Sequence, residues 1–105
     1  MKLFLNLLIV LFLTGCSDNE QRFTCSNQYF NDGLIIKNNI ANLGLYSNMN
    51  YCDKQGTINI YSSECKSQKL EYYNLFFDTV SYQAEINMKS KDSYNSYSYQ
   101  CKKLN

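Results

Sequence analysis

The sequence predicts a mainly β protein, a small antiparallel β-barrel or sandwich stapled by two disulfides, after an N-terminal signal-peptide helix. Three observations predict it. Thr57–Ser62, the series Tyr82, Ala84, Ile86, Met88, and the series Tyr97, Tyr99, Cys101 place apolar side chains at alternate positions, the period of a half-buried strand. Four cysteines, Cys25, Cys52, Cys65 and Cys101, lie in a stretch too short to bury a large core, where disulfides are the usual staples. The first fifteen residues have a different texture from all that follows.

That N-terminus combines a positive Lys2, an apolar run from Leu3 to Leu13 broken only by Asn6, and Leu13-Thr14-Gly15-Cys16. As a helix the run spans only ~16 Å, about half of a hydrocarbon core, so it reads as a secretory signal peptide rather than a membrane span. Leu13-Thr14-Gly15-Cys16 resembles the lipobox of bacterial lipoproteins. The resemblance implies that residues 1–15 are removed, that the Cys16 thiol carries a diacylglycerol, and that the new amino group is acylated. The lipid on Cys16 is then the membrane anchor, since two or more acyl chains hold stably where one does not. Residues 16–22 form a short polar tether and residues 23–105 the β-domain. No other cofactor is expected.

Removing residues 1–15 leaves ninety residues, enough for one small domain. Arg22 and eight lysines balance nine acidic residues, without the basic excess of a nucleic-acid binder. Histidine is absent, and with it the commonest general base near neutral pH and the usual zinc ligand. Five cysteines is an odd count for an exported protein; setting Cys16 aside for lipid leaves an even four. Three pairings are open. Cys25–Cys101 with Cys52–Cys65 is favoured, because Phe23-Thr24-Cys25 and Tyr99-Gln100-Cys101 are similar aromatic-x-Cys segments at the two ends, while Cys52 and Cys65 flank a local turn. No C-x-x-C spacing suggests a metal site, and none is expected.

In chain order, a strand over residues 22–30 is expected to end at the turn signal Asn31-Asp32-Gly33, since these residues tolerate positive φ. Two further strands fall within 34–39 and 40–47. Asp53-Lys54-Gln55-Gly56 suits a type I turn, with Asp first and Gly last. Residues 70–78 form the most aromatic segment; strand is preferred there over a short helix. A C-terminal hairpin turns at Lys89–Ser93. Six to eight short strands result.

Catalytic groups are scarce and no enzyme is expected. Glu64, Glu71 and Asp78 are the only carboxylates considered as a glycoside-cleaving pair, and their spacing carries no signature. The chain has ten tyrosines and no tryptophan, and Ser93-Tyr94-Asn95-Ser96-Tyr97-Ser98-Tyr99 has the Tyr/Ser/Asn make-up of adaptable binding surfaces. Tyr94, Tyr97 and Tyr99 are therefore the candidate binding residues, although β-propensity alone also accounts for tyrosines in a hairpin. The aromatic-x-Cys near the start, Tyr-x-Cys near the end and lipobox resemble the membrane-bound inhibitors of c-type lysozyme, small β-barrels that act through loops. The Ser-Gly-rich inhibitory loop of that family has no counterpart here, and Cys52 and Cys65 are additional. Small phage- or plasmid-encoded exclusion lipoproteins are similar in size and anchor.

These features lead to a membrane-anchored lipoprotein of the cell envelope whose β-domain binds a protein or glycan partner there, with no nucleic-acid partner. The alternative is a structural or assembly lipoprotein of an envelope complex. In Gram-negative lipoproteins an Asp after the lipidated cysteine commonly retains the protein at the inner membrane; Ser17 stands there instead, favouring the outer membrane.

Overall fold

A computed structural model describes residues 20–66 and 71–104. The signal peptide, Cys16 and the tether up to residue 19 lie outside the described residues. Eight strands are described: β1 (Gln21–Ser26), β2 (Asn31–Lys37), β3 (Ile40–Leu43), β4 (Tyr46–Gln55), β5 (Ile58–Ser62), β6 (Tyr72–Asp78), β7 (Gln83–Lys89) and β8 (Tyr94–Lys103). Each pairs antiparallel with the next, and β8 returns to β1, closing the sheet into an up-and-down barrel. Closure removes both sheet edges, which a small exported β-domain would otherwise leave open to pairing with other chains. β1 starts at Gln21, two residues inside the stretch expected as tether.

Turn chemistry sets the hairpins. Asn38 and Asn39 both have positive φ (52° and 65°), the pattern of the two-residue type I′ turn that matches strand twist. The β3–β4 and β4–β5 turns each place a glycine first, Gly44 at φ 56° and Gly56 at φ 63°. Two turn expectations need correction. Asn31-Asp32-Gly33 lies within β2, and the chain reverses earlier, at residues 27–30. There the Asn27 side-chain oxygen accepts from the backbone N–H groups of Tyr29 (2.8 Å) and Phe30 (2.7 Å), closing the turn before the Asn-Asp-Gly signal is reached. Likewise β4 runs through Asp53–Gln55, so Gly56 opens a turn with Thr57 instead of ending one.

Alternate residues fill the barrel. Phe23 and Cys25 of β1, Leu34 and Ile36 of β2, Ala41 and Leu43 of β3, Met49 of β4, Tyr61 of β5, Leu75 and Phe77 of β6, Ala84 and Ile86 of β7, and Tyr99 and Cys101 of β8 are buried together. Burying one large apolar side chain contributes about 1.5–3 kcal/mol, so this ring supplies most of the drive to fold.

Both disulfides have the favoured pairing, Cys25–Cys101 and Cys52–Cys65. Cys25 and Cys101 face each other in register on β1 and β8, inside the barrel and across the seam that closes it. Cys52 is the extra residue where the β4–β5 register shifts between Tyr51 and Asp53. Its bond to Cys65 pins the start of the β5–β6 connection against β4.

The two bonds differ in the loops they close, 76 and 13 residues of sequence separation. In the chain-entropy model, Cys25→Ser/Cys101→Ser loses about 4 kcal/mol and Cys52→Ser/Cys65→Ser about 3 kcal/mol. Denaturant unfolding of the two double variants should rank them in that order. Equal losses, or the reverse order, would show that the seam is not the principal covalent constraint.

Candidate binding site at the barrel mouth

In an up-and-down barrel successive turns alternate between the two ends. Residues 38–39, 56–57 and 79–82 turn at the end where the described chain begins and finishes; residues 27–30, 44–45 and 90–93 turn at the other, where β5 also ends and β6 begins. The ends are built differently.

The end beside Glu20 is closed by aromatics. Phe23 and Phe77 pack edge to face at 4.9 Å, and the Tyr82 ring stacks parallel to Phe77 at 6.0 Å and edge-on to Phe23 at 5.2 Å. Tyr82 reaches this position from the turn before β7, on left-handed backbone (φ 63°), while its carbonyl accepts the Cys101 N–H at 2.9 Å. Asp78 caps the same turn by accepting from the N–H groups of Val80 and Ser81, and those hydrogen bonds lower its pKa. Arg22 pairs with Glu20, Lys37 lies 3.9 Å from the same carboxylate, and Lys102 and Lys103 are exposed at this end.

The opposite end is a mouth lined by one polar side chain from each even-numbered strand. Asp32 of β2, Tyr46 of β4, Tyr73 of β6 and Tyr97 of β8 are all half-buried. Tyr46 and Tyr73 pack at 5.4 Å, and the Tyr73 hydroxyl donates to the Ser47 carbonyl at 3.0 Å, forming one wall. Phe30 and Tyr97 pack edge to face at 5.4 Å and form the facing wall. Beneath them the buried Tyr99 hydroxyl donates to the Asp32 carboxylate at 3.2 Å.

Gly44 makes room for that carboxylate. A Cβ there would meet the Asp32 carboxyl carbon at 2.8 Å, and Gly44 donates its N–H to the Gly33 carbonyl at 3.1 Å. Burial raises the Tyr99 pKa to about 12, aided by the Asp32 charge and by its hydrogen bond, which favours the protonated phenol. Tyr46 is raised by burial first, then by Tyr97 and Asp32. Around the mouth the rim exposes Tyr29 (74%), Leu45 (94%), Tyr94 (58%) and Phe30 (42%).

The three candidate tyrosines thus occupy three depths along β8 and share no single surface. Tyr94 points outward at the rim, Tyr97 lines the mouth, and Tyr99 is a core residue holding Asp32. Period two explains the split, because 97, 99 and 101 share the inner face while 94 shares the outer face with Ser96 and Ser98. Asp32, Tyr46, Tyr73, Phe30 and Leu45 were missed as site residues. Asp32 was hidden inside the supposed turn, and the others converge only through barrel closure.

Asp78 stands at the closed end of β6 and Glu71 just before its other end, about 23 Å away along a strand. That is far beyond the separation a glycoside-cleaving pair uses. Glu64 and Glu71 both line an open groove of about 480 Å³ with Tyr72, Tyr73 and Lys89. Among the described residues no group of three His, Cys, Asp or Glu side chains is placed to hold a metal ion. Compared with protein-family models, curated proteins and solved structures, the chain matches none.

Spectrophotometric titration checks the arrangement. One tyrosine should ionise near pH 12, and in Asp32→Asn its midpoint should fall yet stay above the ordinary value of about 10, because burial remains. The folded-state pKa is raised, so the contribution of Tyr99 to stability is complete below about pH 10 and is lost as the pH climbs through about 12. Tyr99→Phe should flatten that alkaline loss. A titration in which every tyrosine ionises near pH 10 would contradict the buried Tyr99–Asp32 contact.

Proposed function

We propose that the protein is a membrane-anchored bacterial lipoprotein of the cell envelope, cleaved before Cys16 and lipidated there, whose barrel binds an envelope or extracellular macromolecule through the mouth. The observation that carries this reading is the polarity of the barrel. The chain enters at the end closed by Phe23, Phe77 and Tyr82. Among the described residues four exposed large apolar side chains, Tyr29, Phe30, Leu45 and Tyr94, stand around the mouth at the far end, against Val80 and Leu104 at the entry end. Four residues lie between Cys16 and Gln21, so five Cα-to-Cα steps reach at most about 17 Å. A lipid on Cys16 would therefore keep the closed end near the bilayer and present the mouth away from it. Lys102 and Lys103 would then lie toward lipid headgroups, where basic side chains are favoured by anionic lipid. Ser17 after the cysteine favours the outer membrane if the cell is Gram-negative.

Exposed Leu45, Tyr29 and Phe30 suit a binding role because solvent-facing apolar clusters mark contact surfaces, and aromatic anchors carry much of interface energy. The protein acts in this reading by occupying a partner, not by turnover.

Site-specific photo-crosslinking in intact envelopes tests the polarity. A crosslinker at Leu45 should give a discrete adduct and one at Val80, on the closed end, should not. Adducts from Val80 alone, or from neither position, would overturn the mouth as the binding end. The anchor is tested separately: metabolic labelling with a fatty-acid analogue should mark the protein and be abolished in Cys16→Ser. Label retained in that variant would contradict lipidation at Cys16.

A further inference from the structure

We propose that the mouth receives a cationic side chain, lysine or arginine, projecting from a protein partner, with the Asp32 carboxylate as counter-ion and Tyr46, Tyr73 and Tyr97 as walls. This rests on the mouth being the binding end. Asp32 is half-buried near the mouth end of β2, on the inner face opposite Cys25. Its one side-chain partner among the described residues is a neutral phenol, the Tyr99 hydroxyl at 3.2 Å, and no described lysine or arginine forms an ion pair with it. A carboxylate offers about four acceptor positions, so the hydrogen bond from Tyr99 orients the group and leaves further acceptor positions for an incoming donor.

Charge complementarity selects the occupant. A half-buried carboxylate without a counter-ion attracts a cation more strongly than one in bulk water, because the surrounding protein screens less. Aromatic faces add to that attraction through their negative π-faces, an effect that grows as the cation is desolvated. Lysine and arginine also carry apolar stems that pack along ring surfaces while the charged head reaches further in. The exposed Tyr29, Phe30 and Leu45 around the opening would meet the residues flanking that side chain, as an apolar rim excluding water from the ion pair. An anionic side chain would meet Asp32 head-on, so the mouth discriminates by charge as well as by shape.

Four capped tripeptides test this on the full-length protein in detergent micelles: acetyl-Gly-X-Gly-amide with X as lysine, arginine, norleucine or glutamate. Tyrosine ring resonances in NMR spectra give the readout. The lysine and arginine peptides should shift the Tyr46 and Tyr97 rings saturably, about tenfold more tightly than norleucine, and glutamate should give no shift. Asp32→Asn, with its fold checked by amide dispersion, should weaken the basic peptides about tenfold. If that variant does not fold, the unaltered protein still decides: binding of the lysine peptide must weaken several-fold as salt is raised.

Norleucine binding as well as lysine, insensitivity to salt, absence of saturable shifts with either basic peptide, or Asp32→Asn binding like the parent would each overturn the proposal. So would chito-oligosaccharides shifting the same rings while the basic peptides do not, which would indicate a glycan occupant. Leu45 adducts that persist in Asp32→Asn would overturn the Asp32 role while leaving the mouth as the binding end. Loss of the Leu45 adduct in the parent removes the broader reading first.

Discussion

The barrel depends on one pairing, that of β1 with β8. Every other strand pair is joined by a short connection, whereas this one brings together segments 76 residues apart at Cys25 and Cys101. Closing a loop of that length costs more chain entropy than closing any hairpin, and the reward comes only when the whole sheet is in place. The disulfide holds that register covalently. A slip of one residue would exchange inner and outer faces along the whole of β8, turning Tyr97, Tyr99 and Cys101 outward. Cys25 pairs with Asp32 on its other side, so one row across β2, β1 and β8 runs Asp32, Cys25, Cys101. Tyr99, two residues before Cys101 on the same face, is thereby set against Asp32. The mouth inherits its geometry from the seam.

The two ends put that frame to different uses. At the closed end three aromatic rings pack against one another, and the Asp78 cap fixes the turn that delivers the third. The mouth is also aromatic, but it carries a carboxylate, Asp32, hydrogen-bonded to Tyr99. Asp32 is half-buried with only a phenol as side-chain partner among the described residues, which stabilises a fold less than an ion pair there would, since partial desolvation of a charge is repaid best by an opposite charge.

Much of this was legible from residues. Alternation at 57–62, 82–88 and 97–101 marked β5, β7 and β8, and the aromatic run at 72–78 is β6. Both disulfides followed from the matching aromatic-x-Cys ends and the locality of Cys52 and Cys65. Turns were less legible where two signals competed. Asn27 closes its turn with side-chain hydrogen bonds before Asn31-Asp32-Gly33 can act, and Gly56 serves the turn that follows it because β4 continues through Asp53. The mouth was only half visible. Tyr97 and Tyr99 stood out in a Tyr/Ser-rich hairpin, but their roles depend on which face of β8 closes against β1. Asp32, Tyr46 and Tyr73 come from separate strands that meet only in the closed barrel.

The dependence of the mouth on the seam can be measured directly. Amide hydrogen exchange of the unaltered protein and of Cys25→Ser/Cys101→Ser would follow β1 and β8 residue by residue, with the Tyr99 phenol titrated in both. The account predicts that, under conditions where the variant is still folded, β1 and β8 amides exchange fastest relative to the parent while β5 and β6 change least. It also predicts that the Tyr99 phenol drops from about 12 toward its ordinary value as Asp32 and Tyr99 separate. Uniformly faster exchange in all strands, or seam amides and Tyr99 left unchanged, would contradict it.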